Sequence, residues 1–470
     1  MVTLIKNGKL VTATETYESD ILIEGEEISK IGKDLQLPNA EIVDASGKLI
    51  MPGGIDPHVH LDLPMFETVS SDDHYTGHKA AAFGGTTTVM DFVVLEDKGF
   101  DYSVDLWMKK AEKAAIDYSF HMNLTQFNEK IAKAIPSLMK MGIQTLKVFT
   151  AYNGRLRIDD GSIFKAMQIA SDSGMLVMAH CENGDVIETL TAQALAAGHT
   201  TPEWHALTRP GWGAVEAGLR VAGMASAADA NVYIVHMNMG GEVDMLKYAR
   251  DRDVKVMGET CPQYLFFTID DLRKPDGAKW ICSPPMRSKE DNARLWEGLS
   301  EGILQTVGTD HCPFFFDGTK PIVYEGSEIA IPGKELGKDN FTKIPNGLPG
   351  IQDRMPVLWT TGVISGKITE NQFVTYMSTN PAKIFGLYPR KGALMEGSDA
   401  DIVIWDPEKK VKYGVAMSHQ RTDYNLYEGR ELTGYPEKVF LRGKLIVDGE
   451  AWKGQRGMGQ FLKRDEGIFL

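Results

Sequence analysis

Two histidines two residues apart, His58 and His60, lie in the stretch MPGGIDPHVHLDLP (51–64), just after Pro-Gly-Gly punctuation. Along a strand alternate side chains share a face, so both imidazoles point the same way. Paired imidazoles at a strand end read either as a polar loop or as metal ligands, and other residues of ligand type follow: Lys147 in TLKVF, His180 closing MLVMAH, His236 closing VYIVH and Asp310 closing LQTVGTD. Nitrogen and oxygen donors without cysteine suit zinc, or manganese or cobalt.

Something must bring residues so far apart in sequence to one place. Eight short apolar, β-branched runs, at 54–60, 86–93, 117–123, 145–150, 175–180, 232–236, 254–259 and 304–310, alternate with helical patterns such as SVDLWMKKAEKAA, GSIFKAMQIASDSG and DVIETLTAQALAAG. That count predicts an α/β fold, a (β/α)8 TIM barrel, whose active sites sit where the C-terminal strand ends meet. A doubly wound sheet would carry a Gly-rich phosphate loop after its first strand. Here His-x-His stands there, and GGTTT (84–88) lacks the Lys-Ser/Thr of a P-loop and reads as a helix end before the second strand. Both chain ends read as short strands with Asn-Gly, Glu-Gly and Ser-Gly turns. They are expected to pair into a small β-sandwich domain, 1–54 with 388–470, bracketing a barrel of 55–387.

Lys147 lies inside an apolar strand, where desolvation disfavours an ammonium. It either pairs with Asp310 or reaches the barrel mouth, or it is neutral and reacts with CO2. In the last case its carbamate bridges two metals, with His58, His60 and Asp310 on one and His180 and His236 on the other. His121 reads equally as a support for a ligand or as a packed core residue. His74 and His78, at i and i+4 without the Glu of HExxH, read as a solvated helix face, and Cys181 and Cys312 as non-ligands.

The 470 residues carry 50 Lys and Arg against 64 Asp and Glu, a formal net charge of -14. This argues against the clustered positive surface that nucleic acid or an anionic membrane requires. Four cysteines without a CxxC spacing, no secretory h-region and no long apolar run are the pattern of a cytoplasmic protein.

Over essentially its whole length the chain resembles the dihydropyrimidinase and D-hydantoinase group of the amidohydrolase superfamily. The resemblance rests on GGIDPHVHLDLP, FGGTTTVMDF, LKVFTAY, AHCENGDVI, WHALTRP, ETCPQYL, SPPMR, GTDHCPF, FTKIPNGLPGIQDR, FGLYPRKGALMEGSDADIVIWDP and DYNLYEG. It implies a binuclear zinc site with ligands His58, His60, Lys147 (as N6-carboxylysine), His180, His236 and Asp310. It also implies substrate contacts from Tyr152 and from the backbones of Ser283 and Asn346. The implied reaction opens 5,6-dihydropyrimidines or 5-substituted hydantoins to N-carbamoyl amino acids by a metal-bridging hydroxide. Asp310 would move the proton and Tyr152 would stabilise the oxyanion. Dihydroorotases, similar at His-x-His, carry an Arg where Asp62 stands, and an acid there is expected to repel a carboxylate. Leu63, Met65 and Phe66 are expected to wall the ring's substituent. Alternatives are an allantoinase, an L-selective hydantoinase, or a scaffold like the collapsin response mediator proteins, which lack the ligands. Members of the group are homotetramers or homodimers whose C-terminal tail reaches a neighbour.

Overall fold

The computed structural model describes residues 2–65 and 67–470. Eight parallel strands form the central barrel: β1 (Gly54–Val59), β2 (Thr86–Val94), β3 (Asp117–Asn123), β4 (Thr145–Phe149), β5 (Leu176–His180), β6 (Val232–Ile234), β7 (Val256–Thr260) and β8 (Thr306–Val307). Each pairs with the next in chain order. The ring closes between β1 and the chain after β8, where Val59 bridges His311 and His60 N–H donates to the His311 carbonyl at 2.8 Å. Asp56 joins the same seam by accepting from Thr309 N–H at 3.1 Å and Thr309 Oγ1 at 2.6 Å.

The connecting helices obey local rules. Asp160–Ser173 starts where Asp159 accepts from Ser162 N–H and stops at Gly174, whose φ of 70° is left-handed. Between these caps it buries Ile163, Ala166, Met167 and Ala170, one helical stripe, against the barrel. Gly84 likewise ends Thr76–Phe83 just before β2, as GGTTT predicts.

A second, mostly antiparallel sheet of nine strands draws on both termini. The ends meet where Leu49–Pro52 pairs antiparallel with Ile402–Lys412, and Ile5, Leu10, Ile21, Ile50, Ile402 and Ile404 form part of its own apolar core. The Asn-Gly at 7–8 is not a turn. Val2–Val11 is one strand with a bulge there, Asn7 at φ 64°, and a Cβ on Gly8 would meet Ile50 Cδ1 at 2.4 Å. Glu-Gly and Ser-Gly do turn the chain, with φ of 67° at Gly25 and 71° at Gly47.

The C-terminal segment runs back under the chain's own barrel. Leu462 N–H donates to the Tyr118 carbonyl at 2.7 Å and Ser119 Oγ to the Leu462 carbonyl at 2.9 Å, both at the start of β3. Leu462 is buried with Phe385, Ile384 and the strand residues Met90, Met178 and Met257. The tail thus packs on its own barrel at Leu462, and Ile468, Phe469 and Leu470 expose large apolar surface at its end.

Candidate active site

At the C-terminal end of the barrel a cavity of about 310 Å³ is lined by His58, His60, Lys147, Tyr152, His180, His236, Ser283, Asp310 and Asn346. Six of these, His58, His60, Lys147, His180, His236 and Asp310, are the residues read at strand ends, and Tyr152, Ser283 and Asn346 are those the family resemblance implies. Their approach to the cavity differs from simple strand alternation. β6 ends at Ile234 and β8 at Val307, so His236 and Asp310 lie beyond their strands. Both have left-handed backbones, φ 41° and 54°, as does Tyr152 at 67°. Such conformations are costly for non-glycine residues and cluster where function holds them.

Two groups of donors face each other. Asp310 Oδ1 lies 3.0 Å from His60 Nε2 and 3.2 Å from His58 Nε2. His180 Nδ1 faces His236 Nε2 at 3.0 Å. Carboxylates behind the rings select which nitrogen is presented: His58 Nδ1–H donates to Glu259 Oε1 at 2.7 Å and His180 Nε2–H to Glu182 Oε2 at 2.8 Å. Glu259 Oε1 also accepts from His236 N–H at 3.1 Å, and its Oε2 accepts from Tyr233 OH at 2.9 Å. Glu259 and Glu182 were missed in the sequence, although Glu259 carries the same signal as the histidines, an ionisable residue at the end of an apolar strand.

Burial lowers the pKa of His60 and puts His236 well below the ordinary imidazole value, leaving neutral rings with lone pairs. Burial alone would lower His58 too, but the Glu259 and Asp310 carboxylates reverse this. Burial works to raise Asp310, and the imidazoles of His58 and His60 outweigh it and hold the acid well below the carboxylate range. Burial pushes the Lys147 amine down to about 8. Its Nζ has no carboxylate at ion-pair distance among the described residues, Asp310 included, and lies 4.8 Å from the centre of the Phe92 ring. Burial raises the Tyr152 phenol, so it stays a proton donor.

The donor set fits divalent metal. His58 Nε2, 3.2 Å from Asp310 Oδ1, is buried without a hydrogen-bond partner, a cost that coordination would relieve. Donor atoms of His58, His236 and Asp310 lie within 4.8 Å of one another. That grouping takes one histidine from each half of the expected division between two metals.

Other expectations need correction. His74 and His78 are not a solvated helix face: both are fully buried, and only His78 lies on the helix. His74 Nε2 sits 3.2 Å from Asp91 Oδ2, and His78 Nδ1 accepts from Ala115 N–H. Asp62 does not line the cavity and pairs with Lys113 at 3.2 Å. The chain turns at Asp62, φ 51°, which swings its side chain off the path that alternation predicts. Leu63 and Met65 do line the cavity, and Phe66 lies outside the described residues. His121 is a packed residue between Phe92 and Phe385, with Nε2–H donating to the Pro57 carbonyl at 3.0 Å. Cys181 is buried in the apolar core and Cys312 lines the cavity.

Comparison with known proteins bears on what this site does. Residues 49–446 match the model of the amidohydrolase family. A D-hydantoinase of Geobacillus stearothermophilus is 44% identical, covering 99% of this chain and 97% of that protein. A D-hydantoinase of Streptomyces coelicolor is 40% identical, covering 98% of each. The crystal structure of dihydropyrimidinase from Brevibacillus agri NCHU1002 superposes with a TM-score of 0.95 at 45% identity, over the full length of both chains. The chain belongs to the amidohydrolase family.

Proposed function

We propose that this enzyme hydrolyses the cyclic amide bond of 5,6-dihydropyrimidines and 5-substituted hydantoins, releasing N-carbamoyl amino acids. The observation that carries the reading is the convergence of His58, His60, Lys147, Tyr152, His180, His236, Ser283, Asp310 and Asn346 on one cavity of about 310 Å³, a size that suits a small ring. The similarity to D-hydantoinases and dihydropyrimidinase along the whole chain supports it. It also favours this reading over an allantoinase, an L-selective hydantoinase or a scaffold.

Family membership implies a binuclear divalent-metal centre. Two ions, in our reading zinc held by His58, His60, His180, His236, Asp310 and a CO2-derived carbamate on Lys147, would supply Lewis acidity that lowers the pKa of water from about 15.7 to about 7 and polarises the carbonyl. The chain's own residues do the rest. Asp310, ionised and lining the cavity, accepts the proton of the attacking water and returns it to the leaving ring nitrogen. Tyr152 keeps its phenolic proton and donates it in a hydrogen bond to the oxyanion. The Ser283 and Asn346 backbones read the N–H and C=O edge of the ring. Asn346 Nδ2 donates to Ser283 Oγ at 3.2 Å, so the two loops already touch.

We assign 1–54 and 388–470 to the β domain together with the C-terminal tail, and 55–387 to the barrel. The pairing of Leu49–Pro52 with Ile402–Lys412 supports this. A homotetramer, or a homodimer, is the assembly we propose. Four free, buried cysteines suit a cytoplasmic setting, and among the described residues no helix is long and apolar enough to cross a membrane.

The test is ring opening of 5,6-dihydrouracil and hydantoin by protein purified with zinc and bicarbonate. Turnover of both, abolished in Lys147→Ala together with loss of bound metal, is expected. A zinc-loaded protein that opens neither ring refutes the assignment.

A further inference from the structure

Lys334 belongs to no part of the site described above. It opens a short 3-10 turn, Lys334–Gly337, in the long connection that follows β8. It is 1% exposed, a rare placement for a lysine unless something holds it. No carboxylate lies within ion-pair distance of its Nζ among the described residues. Instead Nζ donates to two backbone carbonyls, Ile281 at 3.1 Å and Pro345 at 3.0 Å. Ile281 is two residues before Ser283 and Pro345 is the residue before Asn346, so the two acceptors sit on the two loops proposed to read the ring edge.

The surroundings make this clamp specific. Gly347 N–H also donates to the Ile281 carbonyl, at 3.1 Å, so one oxygen ties Lys334 to both loops. The Lys334 backbone is pinned in turn: its N–H donates to the Phe315 carbonyl at 2.7 Å, and Gly333 N–H to the Glu335 carboxylate at 2.9 Å. A Cβ on Gly333 would meet the Phe315 carbonyl at 2.0 Å. Burial pushes the Lys334 amine down to about 7, and even a neutral amine keeps the two N–H groups that two carbonyls require.

We propose that Lys334 is a positioning residue that sets the separation of the Ser283 and Asn346 backbones, and thereby the affinity for the ring edge. This rests on the proposed cyclic-amide substrate. Lys334 does not reach the cavity, so it acts through the loops alone.

The experiment compares wild type, Lys334→Met and Lys334→Gln with hydantoin and 5,6-dihydrouracil. Methionine keeps the length and apolar bulk but neither donor; glutamine keeps an NH2 on a shorter stem. We expect KM of Lys334→Met to rise about tenfold or more, with kcat within about threefold and zinc content unchanged, because uniform binding and not chemistry is lost. Lys334→Gln should recover part of the loss. Amide hydrogen exchange without substrate should quicken at 281–283 and 346–347 in Lys334→Met while the strands β1 to β8 stay protected. Unchanged KM, or a fall in kcat with lost zinc and unchanged KM, overturns the proposal. If wild type opens neither ring, the functional reading fails, and unaltered exchange in the two loops would then overturn the clamp by itself.

Discussion

Glu259 Oε1 lies 2.7 Å from His58 Nδ1, both side chains fully buried, from positions 201 apart in the sequence. The pair decides which nitrogen of His58 faces the cavity, because a carboxylate accepts the Nδ1 proton and leaves Nε2 toward Asp310. The same carboxylate fixes the backbone of His236 through its N–H. One acid thus orients a histidine in each of the two donor groups.

Replacing Glu259 with Gln keeps the shape and removes the charge. We expect zinc affinity and kcat/KM to fall about 10- to 100-fold, the range for residues that orient ligands. Metal analysis after dialysis against a graded chelator, beside steady-state kinetics, measures both. Full metal retention with normal kcat/KM would show that the pair is only packing.

Tyr152 projects its phenol from a left-handed backbone position into the cavity. Tyr152→Phe removes the one hydroxyl. A lost oxyanion donor costs about 2.7–4 kcal/mol, or about 10²–10³ in kcat. KM for hydantoin should move little. A variant with wild-type kcat would remove Tyr152 from the chemistry.

Glu242 gives the fold a pH signature. Its carboxyl accepts from the N–H groups of Asn238 and Met239, at 2.8 and 3.2 Å, yet burial raises its pKa from 4.5 to about 7. A raised carboxylate pKa favours the folded state while the group is protonated. This contribution is complete below about pH 4.5 and is lost as pH rises through about 7. Glutamine is permanently neutral and still accepts both bonds. Urea midpoints of Glu242→Gln and wild type should therefore diverge in favour of the variant between pH 5 and 7.5, by about 3 kcal/mol at most. Parallel curves would show that Glu242 keeps an ordinary pKa.

Leu462 tests the tail. It is wholly buried beneath the barrel among Phe385, Ile384 and Met178. Leu462→Ala should cost about 2–5 kcal/mol, read as a lower Tm in a thermal melt. An unchanged Tm would place the tail elsewhere in solution.

What the chain declares by itself is what depends on neighbours in sequence. Apolar runs of strand length at regular intervals specify a parallel barrel, because period and spacing are local properties. Ionisable residues at the ends of those runs point to one mouth, so His58, His60, Lys147, His180, His236 and Asp310 are legible before any coordinates. Tertiary structure decides the partners and the directions. Asp62 reads as inward by strand alternation and His74 as solvated by helical spacing, but a left-handed turn at Asp62 pairs it with Lys113, and His74 is buried against Asp91. Glu259 finds His58, and Lys334 finds the Ile281 and Pro345 carbonyls, only because barrel closure and the connection after β8 bring distant segments together. A buried polar group must be satisfied, but which group satisfies it is a property of the closed barrel, since the cost of leaving it unpaired arises only once water is excluded.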